Sequence, residues 1–159
     1  VGGDVSVLAK GLASESPTSA VLFREELGSW PPGAHGTTFG GQAVAAAAAH
    51  ATLDLLEGGL QENAARLGEF LLAELRALKR RFPFLGDVRG RGLMIGLDFG
   101  DPDHPQPDLR DKAVRLAFEK GLLLLPAGPS ALRIAPPLVL TQEEAALGLE
   151  ILEEVFRAL

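Results

Sequence analysis

The sequence predicts an α/β fold in two parts, and two observations carry the prediction. From Leu60 onward, stripes of apolar residues at helical spacing alternate with short apolar runs, the pattern of helices laid on one face of a short sheet. Before Leu60, two short apolar runs lead into a glycine-rich loop and one alanine-rich helix. Residues 1–59 and 60–159 are therefore read as separate domains, the second a small α/β unit.

Composition narrows the function classes. The 159 residues are 47% hydrophobic and 23% charged, enough for a globular chain with a real core. Fifteen basic residues against twenty-one acidic ones give a formal charge of -6, with no basic stripe for nucleic acid and no polybasic stretch for a membrane surface. Small molecules are the expected ligands. With no cysteine there is neither a disulfide nor a thiolate metal site, which suits a reducing compartment, and the cytoplasm is the expected location. The alanine-rich run from Ala43 is broken by His50 and Asp54 and is no membrane span, and the first residues lack the pattern of a signal peptide. Val1-Gly2-Gly3-Asp4 leads straight into a strand, so position 1 is expected to be a cut within a larger domain.

In chain order, Asp4 to Leu12 reads as a buried apolar strand that delivers Lys10 to its end, where Gly11 stops it. An amine at such a place is partly desolvated, which favours the nucleophilic free base; the plainer reading is a solvated charge at a strand end. Ser19 to Phe23 reads as a second strand, close enough to be a neighbour in one sheet, and Arg24 to Leu27 as a helical turn. Trp30 to Gly41 then packs four glycines and two prolines into twelve residues, which makes a shaped loop. It runs into a helix expected over 42–57, so backbone N–H groups and the Thr37 and Thr38 hydroxyls gather at a helix N-terminus. Such a place binds anions, although an ordinary glycine-rich connection has the same composition.

Gly58-Gly59 ends that helix, and Leu60, Ala64, Leu67, Leu71, Leu75, Leu78 and Phe82 form the stripe of the next. It closes on Lys79-Arg80-Arg81, cations suited to the negative end of the helix dipole, with Pro83 as the stop. Asp87–Gly92 and Leu93–Phe99 read as paired strands whose glycines permit a bend or a close backbone approach. Gly100 to Pro107 is a polar loop with His104 exposed. Asp108 is expected to cap a helix running to about Lys120, Leu122–Leu125 to be a buried strand, and Leu132–Ala135 another, closed by Pro136-Pro137. Thr141-Gln142-Glu143-Glu144 is a capping box opening a last helix, with Leu147, Ile151, Val155 and Leu159 on one face. Arg133 sits between apolar neighbours on a strand. It either pairs with a carboxylate of the chain or offers its fork to the carboxylate of a ligand.

Four motifs in order resemble the class III pyridoxal-phosphate aminotransferases, which include 4-aminobutyrate, ornithine and acetylornithine aminotransferases. Leu8-Ala9-Lys10-Gly11-Leu12 resembles the segment of the family's Schiff-base lysine, and His35-Gly36-Thr37-Thr38-Phe39-Gly40-Gly41 its phosphate loop. Gly86 to Gly96 and Leu132 to Leu138 are similar to two further signatures. The resemblance spans the whole chain. It implies the end of the large cofactor-binding domain of a fold type I transferase over residues 1–59, and the small C-terminal α/β domain over 60–159.

It further implies pyridoxal 5'-phosphate as cofactor, with Lys10 as catalytic and cofactor-binding lysine and Thr37 and Thr38 at the cofactor phosphate. Thr38 would serve the neighbouring subunit, so the active sites would be shared in a homodimer. Arg133 matches the arginine that grips a substrate carboxylate, whereas Arg89 and Arg91 are left out of the site. The implied reaction moves an amino group from an ω-amino acid to a 2-oxo acid such as 2-oxoglutarate. The Leu122–Pro129 segment is more similar to 4-aminobutyrate enzymes than to acetylornithine ones, with acetylornithine or ornithine as the alternative donor. Three departures stand beside the match. Ala13 to Ser19 brings an acid and three serines where the family has a glycine-rich run. Gln42-Ala43 replaces asparagine-proline. Family members are also more than twice this long, so a non-catalytic oligomerisation or binding module is the alternative reading.

Overall fold

The computed structural model describes residues 3–14, 16–28 and 30–159. Val1, Gly2 and Glu15, which bear on the expected cut and on the acid of the 13–19 segment, lie outside the described residues. The chain divides into two compact units, Val1–Gly59 and Leu60–Leu159.

In the first unit, β1 (Val5–Leu8) and β2 (Ala20–Phe23) pair antiparallel from Val5↔Phe23 to Leu8↔Ala20, as neighbours in one sheet. An Arg24–Asp4 ion pair at 3.2 Å closes the open end of the ribbon. β1 is shorter than the expected strand and it is not buried. Val5, Val7 and Leu8 are exposed, because a two-stranded ribbon presents both faces unless another layer covers it, and Lys10 leaves the pleat at once. A 3₁₀ turn, Lys10–Ala13, follows β1, and another, Glu25–Leu27, follows β2. α1 (Ala43–Leu55) lies against the first of these turns, and Ala13 and Ala45 are the buried apolar side chains of the unit among its described residues. A wide turn over Leu56–Leu60 ends the helix with Gly59 at φ 124°, a backbone state that glycine adopts without cost.

In the second unit, α2 (Gln61–Arg81) precedes the hairpin β3 (Leu85–Arg91) and β4 (Met94–Phe99). α3 (Pro107–Glu119), β5 (Leu125–Ala127), β6 (Ala131–Ile134) and α4 (Gln142–Arg157) complete it. The sheet order is β3-β4-β6-β5, with every pair antiparallel. One face, Val88, Ile95, Leu97, Phe99 and Leu132, is buried under the helices; the alternate residues Arg89, Met94 and Arg133 face solvent. Leu67, Leu71, Leu75 and Leu78 of α2 supply the covering stripe, as its spacing predicts. Phe84 stacks on Phe99 and Phe156 meets it edge-on, at centroid distances of 5.6 and 6.0 Å. Gly68 lets α2 pass directly over the β3–β4 turn, since a Cβ there would overlap the backbone of Gly92.

Three expectations in this unit are corrected. Asp108 is not the cap of α3: the helix opens with Pro107, whose fixed φ and missing N–H suit a first position, and Asp108 lies in the first turn. The leucine run 122–125 is not a buried strand. Pairing begins only at Leu125, on an edge strand that tolerates Pro126, and Leu123 is exposed while Leu122 and Leu124 pack partway into the core. On α4 the buried face is Ala145, Leu152, Val155 and Phe156, and Leu147 points away from it. The capping box is as expected: Glu144 N–H donates to the Thr141 hydroxyl at 3.2 Å, and Thr141 N–H donates to the Glu144 carboxylate at 2.9 Å.

Candidate active site

Lys10 is the second residue past β1: Ala9 is still fully extended, and Lys10 turns to φ 57°. A left-handed backbone on a residue with a Cβ is uncommon and costs about 1–3 kcal/mol, so it persists only where its surroundings fix it. The side chain is exposed rather than partly desolvated, because the ribbon that carries it is open. Among the described residues its amine makes no ion pair and no side-chain hydrogen bond.

The loop from Trp30 to Gly41 is irregular throughout, with Gly33 at φ 83° and Gly41 at φ 71°. Trp30 stacks on His35 at 5.3 Å and meets Phe23 edge-on at 5.4 Å, so the loop is pinned to β2 by aromatic contacts. A broad depression results, lined by Thr18, Ser19, Phe23, His35 and Thr37 among others. Thr37 therefore faces a cavity, whereas Lys10 and Thr38 do not line it. Neither threonine caps α1. Gln42 holds the cap position without a side-chain hydrogen bond, which leaves the first N–H groups of the helix without a side-chain acceptor there.

Arg133 occupies the exposed face of β6, in register with Gly96 of β4 on one side and Leu125 of β5 on the other. Among the described residues it has no carboxylate partner, so the intramolecular pair is not the arrangement found. On the same rung, across β4, Arg89 is fully engaged. Its Nη2 donates to Asp98 Oδ1 at 3.1 Å, its Nη1 donates to the other Asp98 oxygen, and Nη1 also reaches Asp87 Oδ2 at 3.1 Å. The hydrogen bonds it donates to Asp98 first, then to Asp87, raise the Arg89 pKa above its ordinary value.

Sequence reasoning did not single out Arg110, which is buried and ties α3 to β6. Its Nη1 donates to the Ala131 carbonyl at 3.2 Å, and its Nε donates to Asp111 at 2.6 Å. His104 is exposed in its loop, as expected, beside Asp101, whose carboxylate accepts the His104 backbone N–H at 2.8 Å and is held below its usual pKa chiefly by that bond.

The family model described as aminotransferase class-III matches residues 1–156. The chain belongs to the class-III aminotransferases. Relatives include an alanine/serine racemase of Pyrococcus horikoshii, 40% identical over 97% of this chain and 33% of the relative. An acetylornithine aminotransferase of Bacillus subtilis is 41% identical over 90% of this chain and 36% of its own. Among solved structures, an amine transaminase from an uncultivated Pseudomonas species, in its PLP-bound form, aligns with a TM-score of 0.87 and 36% identity over 99% of this chain and 39% of that one. The chain spans about a third of the length of the curated relatives it matches.

Class-III aminotransferases work with pyridoxal 5'-phosphate. The groups present fit it in kind: a primary amine, unpaired among the described residues, held in a left-handed backbone state, and a hydroxyl-bearing loop before a helix N-terminus that no described side chain caps.

Proposed function

We propose that the protein bearing this chain is a pyridoxal-phosphate-dependent aminotransferase that takes the ω-amino group of an acetylornithine-type substrate and passes it to 2-oxoglutarate. Residues 1–59 form the end of its cofactor-binding domain and 60–159 its small domain. The observation that carries this reading is Lys10: the lysine of the family motif holds the strained backbone state just past a strand, with its amine free among the described residues. Backbone strain at a residue already singled out by chemistry points to function.

The cofactor, when bound, supplies the electron sink. Lys10 Nζ would hold the cofactor and, once freed by the substrate amine, would take the proton from the substrate carbon that carries nitrogen and deliver it to the cofactor, so that this carbon leaves as a carbonyl and the nitrogen stays behind. The Thr37 and Thr38 hydroxyls and the open N–H groups of α1 bind phosphate, with Thr38 serving the neighbouring subunit of a homodimer. Arg133 takes a substrate carboxylate in its fork. Acetylornithine is preferred here to the 4-aminobutyrate read from Leu122–Pro129, because an acetylornithine aminotransferase is among the relatives named above. A homodimer in the cytoplasm fits the charge, the lack of cysteine and the shared phosphate loop.

The racemase relative favours a second reading, in which the same lysine moves a proton at the α-carbon without amino transfer. One experiment separates the two. The full-length protein, loaded with cofactor, is incubated with N-acetylornithine and 2-oxoglutarate, and separately with L-alanine alone. Glutamate formed in the first and unchanged optical rotation in the second support the aminotransferase; decay of rotation without glutamate supports the racemase.

A further inference from the structure

Arg89 and Arg133 flank β4 at one rung of the sheet. Gly96 is the register partner of both, Arg89 from β3 and Arg133 from β6, so the two arginines and Gly96 share the exposed face. Two residues along β4 on that same face lies Asp98, diagonal to each arginine. Diagonal cross-strand neighbours stand about 7–8 Å apart at their backbones, within reach of a long side chain. One carboxylate is thus placed between two guanidinium groups that can both claim it.

The structure resolves the competition in favour of Arg89. Arg89 takes both oxygens of Asp98 and adds Asp87, the register partner of Asp98 on β3. On the other flank the register partner of Asp98 is Ala131, which offers no charge. Gly96 leaves the rung clear, since even a Cβ there would lie 3.8 Å from Arg89 Cζ. Arg133 is left with no acceptor among the described residues.

The stability gained by this cluster is a poor reason for its geometry. The Arg89 and Asp87 side chains are more than half exposed, and exposed pairs contribute little to folding. The arrangement does have a consequence for binding. A guanidinium already forked onto a carboxylate of its own chain is no longer available to a ligand.

We propose that Arg89 is a positioning residue that sequesters Asp98 and thereby keeps Arg133 free for the carboxylate of the substrate. The inference rests on the reading of Arg133 given under Proposed function. Removing Arg89 releases Asp98 to pair with Arg133 and block the site; removing Asp98 as well unblocks it.

The test uses the full-length, cofactor-loaded protein and glutarate, an unreactive dicarboxylate, titrated calorimetrically at equilibrium. Arg133→Ala is the control and loses about thirtyfold or more in affinity. Arg89→Gln weakens glutarate about tenfold or more, Asp98→Asn alone stays within about threefold of the parent, and Arg89→Gln/Asp98→Asn returns to within about threefold. In kinetics with an amino-acid donor, the Arg89→Gln loss falls on KM rather than kcat. Rescue by the second substitution is the signature, since a structural role for Arg89 would leave the double variant as weak as the single one. Unweakened binding by Arg89→Gln, or weakened binding that Asp98→Asn fails to restore at unchanged melting temperature, overturns the proposal. If Arg89→Gln does not fold, Arg89→Lys, which keeps a cation beside Asp87 but loses the fork, carries the same comparison. Unchanged binding by Arg133→Ala overturns the reading of Arg133 itself, and this inference with it.

Discussion

The two units use apolar residues in opposite ways. In residues 60–159 one sheet face and three helix stripes meet, and Leu67, Leu75, Ile95, Leu97, Phe99, Leu132, Leu152 and Val155 are wholly enclosed. In residues 1–59 the apolar strands β1 and β2 leave Val5, Val7, Val21 and Leu22 exposed, and only two alanines are buried among the described residues. An apolar run thus specifies a strand but not its burial, which requires a second layer. The difference also separates two tasks. The second unit holds its own fold, while the first presents a lysine, a loop and an uncapped helix start.

The sharpest way to break this comparison is to separate the halves. Residues 60–159 expressed alone are expected to melt cooperatively, and residues 1–59 alone to show no cooperative transition by circular dichroism, because they bury too little apolar surface to offset chain entropy. A cooperative transition in 1–59, or its absence in 60–159, removes the distinction.

A smaller effect comes from single side chains. Phe99→Ala opens a cavity under the sheet and is expected to cost about 3–5 kcal/mol in urea unfolding of residues 60–159. Phe39→Ala, at a position 80% exposed, is expected to change the stability of the chain by about 0.5 kcal/mol at most. Similar costs at the two positions would contradict the assignment of the core.

The smallest effect is with pH. Glu153 is held below its ordinary pKa chiefly by the hydrogen bond from Arg81, Glu154 by that from Lys120, and Glu144 by the Thr141 backbone N–H. A carboxyl whose pKa is depressed on folding adds stability above its unfolded value, and that stability is lost as pH falls through the folded one. The melting temperature of residues 60–159 should therefore be level above the ordinary glutamate range, about 4.3, and decline below it. Glu153→Gln should flatten part of that decline; an unchanged profile would show that the ion pairs of α4 do not contribute.

How much of this was legible in the sequence depends on how local each feature is. The α2 stripe and the Thr141–Glu144 box were legible because each is set by residues within a few positions of one another. The edge position of β5 was not, since no run of leucines says which strand lies beside it, and pairing starts where Leu125 meets Arg133. Leu147 lies off the buried face because a constant spacing of four drifts around a helix of 3.6 residues per turn by about 40° at each step. At the candidate site, motifs identified Lys10, Thr37, Thr38 and Arg133, but neither the φ of Lys10 nor the capture of Asp98 by Arg89 leaves a mark in a motif. Asp87, Arg89 and Asp98 lie on one face only once β3 and β4 are in register, though the two-residue spacing of Asp87 and Arg89 already hinted at a shared face.

Reduction of the full-length, cofactor-loaded protein with borohydride, followed by peptide mapping, tests the central claim most directly. Pyridoxal phosphate should be fixed on the peptide that contains Lys10, and Lys10→Ala should abolish that label while the protein still folds. Label on a different lysine, or undiminished label in Lys10→Ala, would contradict the account.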